Sequence, residues 1–191
     1  YEKNRRLYHD MNNHNLVMWK LAEKGEYERL HKYIGKLRPL EKDRHRQWTQ
    51  NLILDMILEY KLLAMEKKKI LYEIKTDMIG EIALADKELC ILLGNLLDNA
   101  IEACEKLEEE KRMVKIEVRK HHSMFMLIVE NSCEAHAQVR KGIFRTTKKD
   151  DRMHGYGIHN VRKTVKNRGG QFQYGSRGEN FYVKILIPLV I

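Results

Sequence analysis

The sequence predicts an α+β protein, a short helical hairpin followed by an α/β layer sandwich with helices covering one face of a mixed sheet. Apolar residues recur at heptad spacing up to Pro39, segments of helical and strand period alternate from Trp48 onward, and residues 171–188 alternate on both sides of a glycine-containing turn. With 191 residues, 43% of them apolar and two prolines, the chain can bury a core without a disulfide or metal staple. No apolar run is long enough to span a bilayer. Cys90, Cys104 and Cys133 form no CxxC pair and read as reduced thiols of a cytosolic protein. The chain starts at Tyr1, without methionine, as a piece of a longer protein would.

Each element has its own signal. Leu7, Met11, His14, Met18 and Leu21 recur at spacings of 4, 3, 4 and 3, which predicts a helix over 1–24. Lys24-Gly25-Glu26 can end it. Tyr27, Leu30, Ile34 and Leu37 repeat the spacing in a second helix that Pro39 stops. Two short helices with one apolar stripe each bury those stripes poorly alone, so a dimer pairing two hairpins into a four-helix bundle is expected. Residues 41–47 read as a solvated linker, which places domains at 1–42 and 48–191. In the second domain the pattern predicts helices over 49–68, 86–108 and 156–168, and strands over 70–77, 112–120, 124–131, 171–175 and 180–188, the last two turning at Ser176-Arg177-Gly178. Residues 132–154 are polar and too long for an ordinary connection, which predicts a mobile binding loop.

The net charge of +9 is concentrated. Residues 1–48 balance to +5, residues 49–139 to −5, and residues 140–168 to +8. A basic segment of that density calls for an anionic partner: nucleic acid, a membrane surface or a nucleotide's phosphates. No base-stacking aromatics interleave with these charges, and they surround glycines instead.

Three constellations can carry chemistry. Asn95, Asp98, Asn99 and Glu102 fall within a helical stripe about 100° wide, opposite Leu93, Leu96, Leu97 and Ala100. Two asparagines one turn apart offer hard oxygens to a Mg²⁺ that already holds phosphates; the plain alternative is a solvated helix face. Gly155-Tyr156-Gly157 opens the last helix, where bare backbone and free N–H groups can meet an anion, with Lys148, Lys149 and Arg152 nearby; the alternative is a basic surface loop. It is no dinucleotide fingerprint, because no strand enters it and Asn160 stands at the third glycine, and no Walker GxxxxGK exists. On the first helix, His14 lies on the apolar seam, as a packing or partner contact, while His9 falls outside it. An exposed histidine followed by a carboxylate, His9-Asp10, can accept a phosphoryl group, or be an ordinary surface histidine. An HExxH zinc helix is absent.

Taken together, the three match one family. LYHDMNNHNL resembles the phosphoacceptor box of sensor histidine kinases, LLGNLLDNAIEAC their asparagine box, and TTKKDDRMHGYGIHNVR the lysine-plus-glycine box of the subgroup containing quorum-sensing peptide receptors. Order and spacing agree over nearly the whole chain. The resemblance implies a Bergerat (GHKL) ATP-binding domain over 48–191 behind a dimerisation and phosphotransfer hairpin over 1–42. It implies that His9 receives the γ-phosphoryl group of ATP, that Asp10 assists, and that Asn13 serves phosphate removal from a partner. Asn95 and Asn99 would hold Mg²⁺ and phosphate, Lys148 would contact phosphate, and Gly155 and Gly157 would shape the pocket where a lid over 132–154 ends. The partner implied is a response-regulator receiver domain, in a homodimer joined through the hairpin, with no direct nucleic-acid partner. The chain would be the cytoplasmic portion of a membrane-bound sensor, joined to the membrane only through a segment outside it.

One departure alters an expectation. Most such kinases carry DxGxG after the strand at 124–131, whereas this chain has Glu130-Asn131-Ser132-Cys133. Asn131 can accept the adenine amine through its side-chain carbonyl, and a neutral acceptor bonds more weakly than a carboxylate. The expected ATP affinity is therefore modest, high micromolar or weaker. Two other readings compete: a sporulation-type phosphotransferase whose GHKL-like domain no longer binds ATP, and a basic nucleic-acid-binding module.

Overall fold

The computed structural model describes residues 2–37, 47–134 and 156–189. The chain divides into two units, Tyr1–Arg44 and His45–Ile191.

In the first unit, α1 (Glu2–Glu23) and α2 (Tyr27–Leu37) form a hairpin whose two helices pack together. The break between them is built on Gly25, whose φ of 68° is the left-handed conformation that costs glycine little. Its N–H donates to Ala22 O at 3.0 Å and the Glu26 N–H to Leu21 O at 2.9 Å, the paired bonds of a glycine-terminated helix cap. Met18 and Leu21 of α1 and Leu30 and Ile34 of α2 lie along the seam, Leu21, Leu30 and Ile34 half-buried. His14 Nδ1 lies 2.8 Å from the Tyr33 hydroxyl, so the seam histidine makes a helix–helix packing contact.

The second unit is built around one sheet. Strands β1 (Leu71–Thr76), β2 (Met113–His121), β3 (Met124–Ser132), β4 (Gln171–Arg177) and β5 (Asn180–Pro188) lie in the order β1-β2-β3-β5-β4. The first pair is parallel and the others are antiparallel. Burial alternates along the central strands, putting Val114, Ile116, Phe125, Leu127, Ile185 and Ile187 on one covered face. Each such side chain contributes about 1.5–3 kcal/mol when withdrawn from water. The cover comes from α3 (Leu52–Lys67), α4 (Asp86–Leu89), α5 (Asn95–Cys104) and α6 (Tyr156–Asn167), which send Leu54, Leu58, Leu89, Leu97, Val161 and Val165 into the same core. A π turn, Cys90–Gly94, joins α4 to α5.

Three boundaries differ from the sequence reading by two residues or more. The helix expected from residue 49 begins at Leu52, because Thr49 is drawn into a buried turn. Its N–H and hydroxyl both donate to Asp55 Oδ1, at 2.9 and 2.7 Å, and its carbonyl accepts from Ile79 and Gly80. Asn51 then caps α3 by accepting from the Leu54 N–H. The helix expected to reach residue 108 ends at Cys104. Beyond it stand Glu105 and Glu108–Glu110, whose negative charges oppose the C-terminal end of a helix dipole. Arg112 also holds the returning chain by donating to Leu107 O and Lys68 O, at 3.0 and 2.8 Å. Finally, the terminal hairpin turns at Gly178-Glu179, not at 176–178, since Ser176 and Arg177 still pair with Phe181 and Asn180. Gly178, with φ 62°, occupies the first central position, where a two-residue hairpin favours glycine. The linker expected at 41–47 falls almost wholly, and the loop at 132–154 mostly, outside the described residues.

Candidate functional site

The asparagine stripe is a product of α5's packing. Leu96, Leu97, Ala100, Ile101 and Cys104 are buried against the sheet, which turns the opposite side outward. Asp98, Asn99 and Glu102 are exposed there and Asn95 is half-buried. Asn95 follows directly on the π turn, a local widening common at functional positions. Its Nδ2 donates to Ile91 O at 2.7 Å, which ties the amide nitrogen back to the helix and leaves Oδ1 as the atom it presents.

Gly157, in the first turn of α6, sits against that oxygen. A Cβ built at residue 157 would lie 2.9 Å from Asn95 Oδ1 and 3.5 Å from its Cγ. The glycine is required here for close approach, and Asn95 and Gly157 therefore form one wall-to-wall contact between α5 and α6. A second interaction ties the end of α6 to α4. Arg168, just beyond α6, grips Glu88 of α4 with two donors, at 2.8 and 2.5 Å, and the Ala85 N–H donates to the same carboxylate at 2.9 Å. The Arg168 guanidinium beside it holds the Glu88 carboxyl below the usual carboxylate range.

Asn131 is buried on β3, opposite Val114 on β2, on the helix-covered face of the sheet. Its Nδ2 donates to Ser132 O at 2.9 Å, so the side-chain carbonyl is the group left to accept. Glu130 points to the other face, where it accepts from Asn180 Nδ2 at 2.9 Å. Burial pushes the thiols of Cys104 and Cys133 up, away from thiolate reactivity.

The remaining sequence-predicted residues lie elsewhere. His9 belongs to the backbone of α1, and Asp10 and Asn13 are carried on the same helix. All three are in the first unit, whereas Asn95, Asn99, Asn131 and Gly157 are in the second. Lys148 and Gly155 lie outside the described residues. Sequence reasoning passed over Lys61, a buried lysine of α3 whose Nζ is 2.5 Å from Asp98 Oδ1. The signal available was a single cation set deep in the apolar run LILDMILEYKLLAM.

The donor set bears on a metal. Among the described residues no group of three His, Cys, Asp or Glu is placed to hold an ion. The oxygens of Asn95 and Asn99, neutral and hard, suit a Mg²⁺ that brings phosphate oxygens and waters as its other ligands. No helix among the described residues is long and apolar enough to cross a membrane.

Known proteins share this fold. Residues 84–188 match the family model described as GHKL domain, a span that includes α4, α5, α6 and four of the strands. No curated protein matches the chain. Among solved structures, the catalytic domain of histidine kinase ThkA in a nucleotide-free form is 21% identical with a TM-score of 0.60, covering 74% of this chain and 95% of that one. The histidine kinase AdeS of Acinetobacter baumannii is 14% identical with a TM-score of 0.54, covering 96% of this chain and 98% of that one. The histidine kinase domain of the blue-light activated kinase EL346 from Erythrobacter litoralis is also 14% identical, with a TM-score of 0.52 over 75% of this chain and 65% of that one. At these identities the likeness is one of fold.

Proposed function

The chain belongs to the GHKL domain family, and from that premise we propose that it is the cytoplasmic core of a sensor histidine kinase of the quorum-sensing peptide-receptor type. In this reading residues 48–191 bind Mg-ATP, and the hairpin of residues 1–42 dimerises and carries the phosphorylated histidine. The observation that carries it is the meeting of Asn95 and Gly157, where a missing Cβ lets the start of a helix approach the amide oxygen of a half-buried asparagine. Such a place suits the anionic end of a nucleotide, with free helix N–H groups and a hard oxygen side by side.

Asn95 and Asn99 would hold Mg²⁺, which neutralises phosphate charge when bound. Gly157 and Gly155 let backbone approach the phosphates, and Lys148 adds a cation. Asn131 accepts the adenine amine with the carbonyl that its bond to Ser132 leaves over. A ring nitrogen of neutral His9 then attacks the γ-phosphorus, the bond to the β–γ bridging oxygen breaks, and ADP leaves. Asp10 orients the imidazole and takes up its proton. The phosphoryl group passes to the aspartate of a response-regulator receiver domain, and Asn13 serves the reverse task of removing phosphate from that partner. The apolar side chains left open on the hairpin, Met11 and Trp19 at 53% and 59% exposure, support a homodimer formed through it. The parent protein would reach the membrane through a segment outside this chain.

Incubation of the purified chain with γ-labelled ATP and Mg²⁺ tests the reading. Acid-labile, alkali-stable label is expected on the unmodified chain and on neither His9→Gln nor Asn99→Asp. No label and no nucleotide binding would overturn it in favour of a phosphotransferase that has lost its ATP site.

A further inference from the structure

We infer that Lys61 is a positioning residue for polyphosphate binding, acting through Asp98. The inference rests on the nucleotide reading of the asparagine stripe. Lys61 projects from α3, a helix that is apolar on most of its surface, and its side chain is only 11% accessible. Its Nζ contacts Asp98 Oδ1 at 2.5 Å, yet the Asp98 side chain is 58% exposed. The pair is thus lopsided, with the cation underneath and the carboxylate on the open surface beside Asn95 and Asn99.

Stability does not explain this arrangement. Withdrawing an ammonium from water is costly, and a well-packed apolar residue at such a position serves a core as well or better. The geometry has a different use. Asp98 and Glu102 put two carboxylates on the stripe that faces the anionic part of the nucleotide, and both repel it. Lys61 cancels one of those charges from below, without occupying any of the surface the phosphates need. It also draws Asp98, which stands at the edge of the stripe, toward α3 and off the Asn95–Asn99 surface. Arginine could keep the charge and the reach, but methionine could not.

The test compares affinities of the full chain for Mg-ATP and for adenosine, which lacks the phosphates, by titration followed by NMR. Lys61→Met is expected to weaken Mg-ATP on the order of tenfold and to leave adenosine within about twofold. Adding Asp98→Asn to Lys61→Met restores Mg-ATP binding, and Lys61→Arg retains it. Asp98→Asn alone, an isosteric change that keeps a side-chain oxygen to accept from Lys61, tightens Mg-ATP about threefold by removing a negative charge from the stripe. Equal loss of Mg-ATP and adenosine in Lys61→Met, absence of rescue in the double variant, or no tightening in Asp98→Asn each overturns the inference. If the unmodified chain binds adenosine and Mg-ATP equally weakly or not at all, the nucleotide reading itself fails, a result distinct from binding that is indifferent to Lys61.

Discussion

The two units of this chain solve the same problem unequally. The sandwich closes its own core: Phe125, Leu127, Leu97 and Ile185 are fully withdrawn from water, and among the described residues no side-chain nitrogen or oxygen shut off from solvent lacks a hydrogen-bond partner. The hairpin has no fully buried side chain among described residues 10–37, and Met11, Leu16, Trp19 and Tyr27 lie more than half exposed. A sheet covered by helices buries a two-dimensional apolar face, whereas two helices side by side share only a line of contact. Self-sufficiency therefore belongs to the unit that carries the asparagine stripe, and the proposed association to the unit that carries His9.

Substitutions can break or sharpen that contrast. The largest effect is expected from Phe125→Ala, which should lower the unfolding free energy of the sandwich by about 3–5 kcal/mol in urea. A cost below about 1 kcal/mol, the value expected at exposed Trp19, would erase the distinction. Gly157→Ala forces the Asn95 amide aside. Because an amide end can swing, the fold should lose less than about 1 kcal/mol, while Mg-ATP binding weakens roughly tenfold. A variant that binds as the parent does would separate the glycine from the site.

Smaller effects follow at the ion pair and on the hairpin. The Glu88 carboxyl is held below its usual value of 4.5 by Arg168, so its contribution is present above that pH and is lost as pH falls through the lowered folded value. Glu88→Gln should therefore cost about 1–2 kcal/mol at pH 7, and the gap between variant and parent should close at acid pH. A gap independent of pH would point to packing alone. Met11→Glu, at an exposed hairpin position, should change intrinsic stability by no more than about 0.5 kcal/mol yet convert dimer to monomer in sedimentation. Retained dimer would move the association face elsewhere.

Much of this protein is legible in local patterns of its chain. Heptad spacing marks α1 and α2, period-two alternation marks the central strands, and the 95/98/99/102 spacing marks an outward stripe, because each signal is written within one or two turns of chain. What escapes such a reading depends on residues distant in sequence. Lys61 meets Asp98 from 37 positions away and Arg168 meets Glu88 from 80, and nothing in either local segment announces its partner. The same holds for the end of α5 at Cys104, which Arg112 settles by capturing carbonyls from two separate segments. The sequence by itself determined the elements, the family-like boxes and the faces that turn inward, because burial periodicity is a property of a single helix or strand. Only the tertiary structure decided which side chains meet across elements, and with them the close approach of Gly157 to Asn95 and the charge beneath the stripe, because such contacts exist only once the core has brought the elements together.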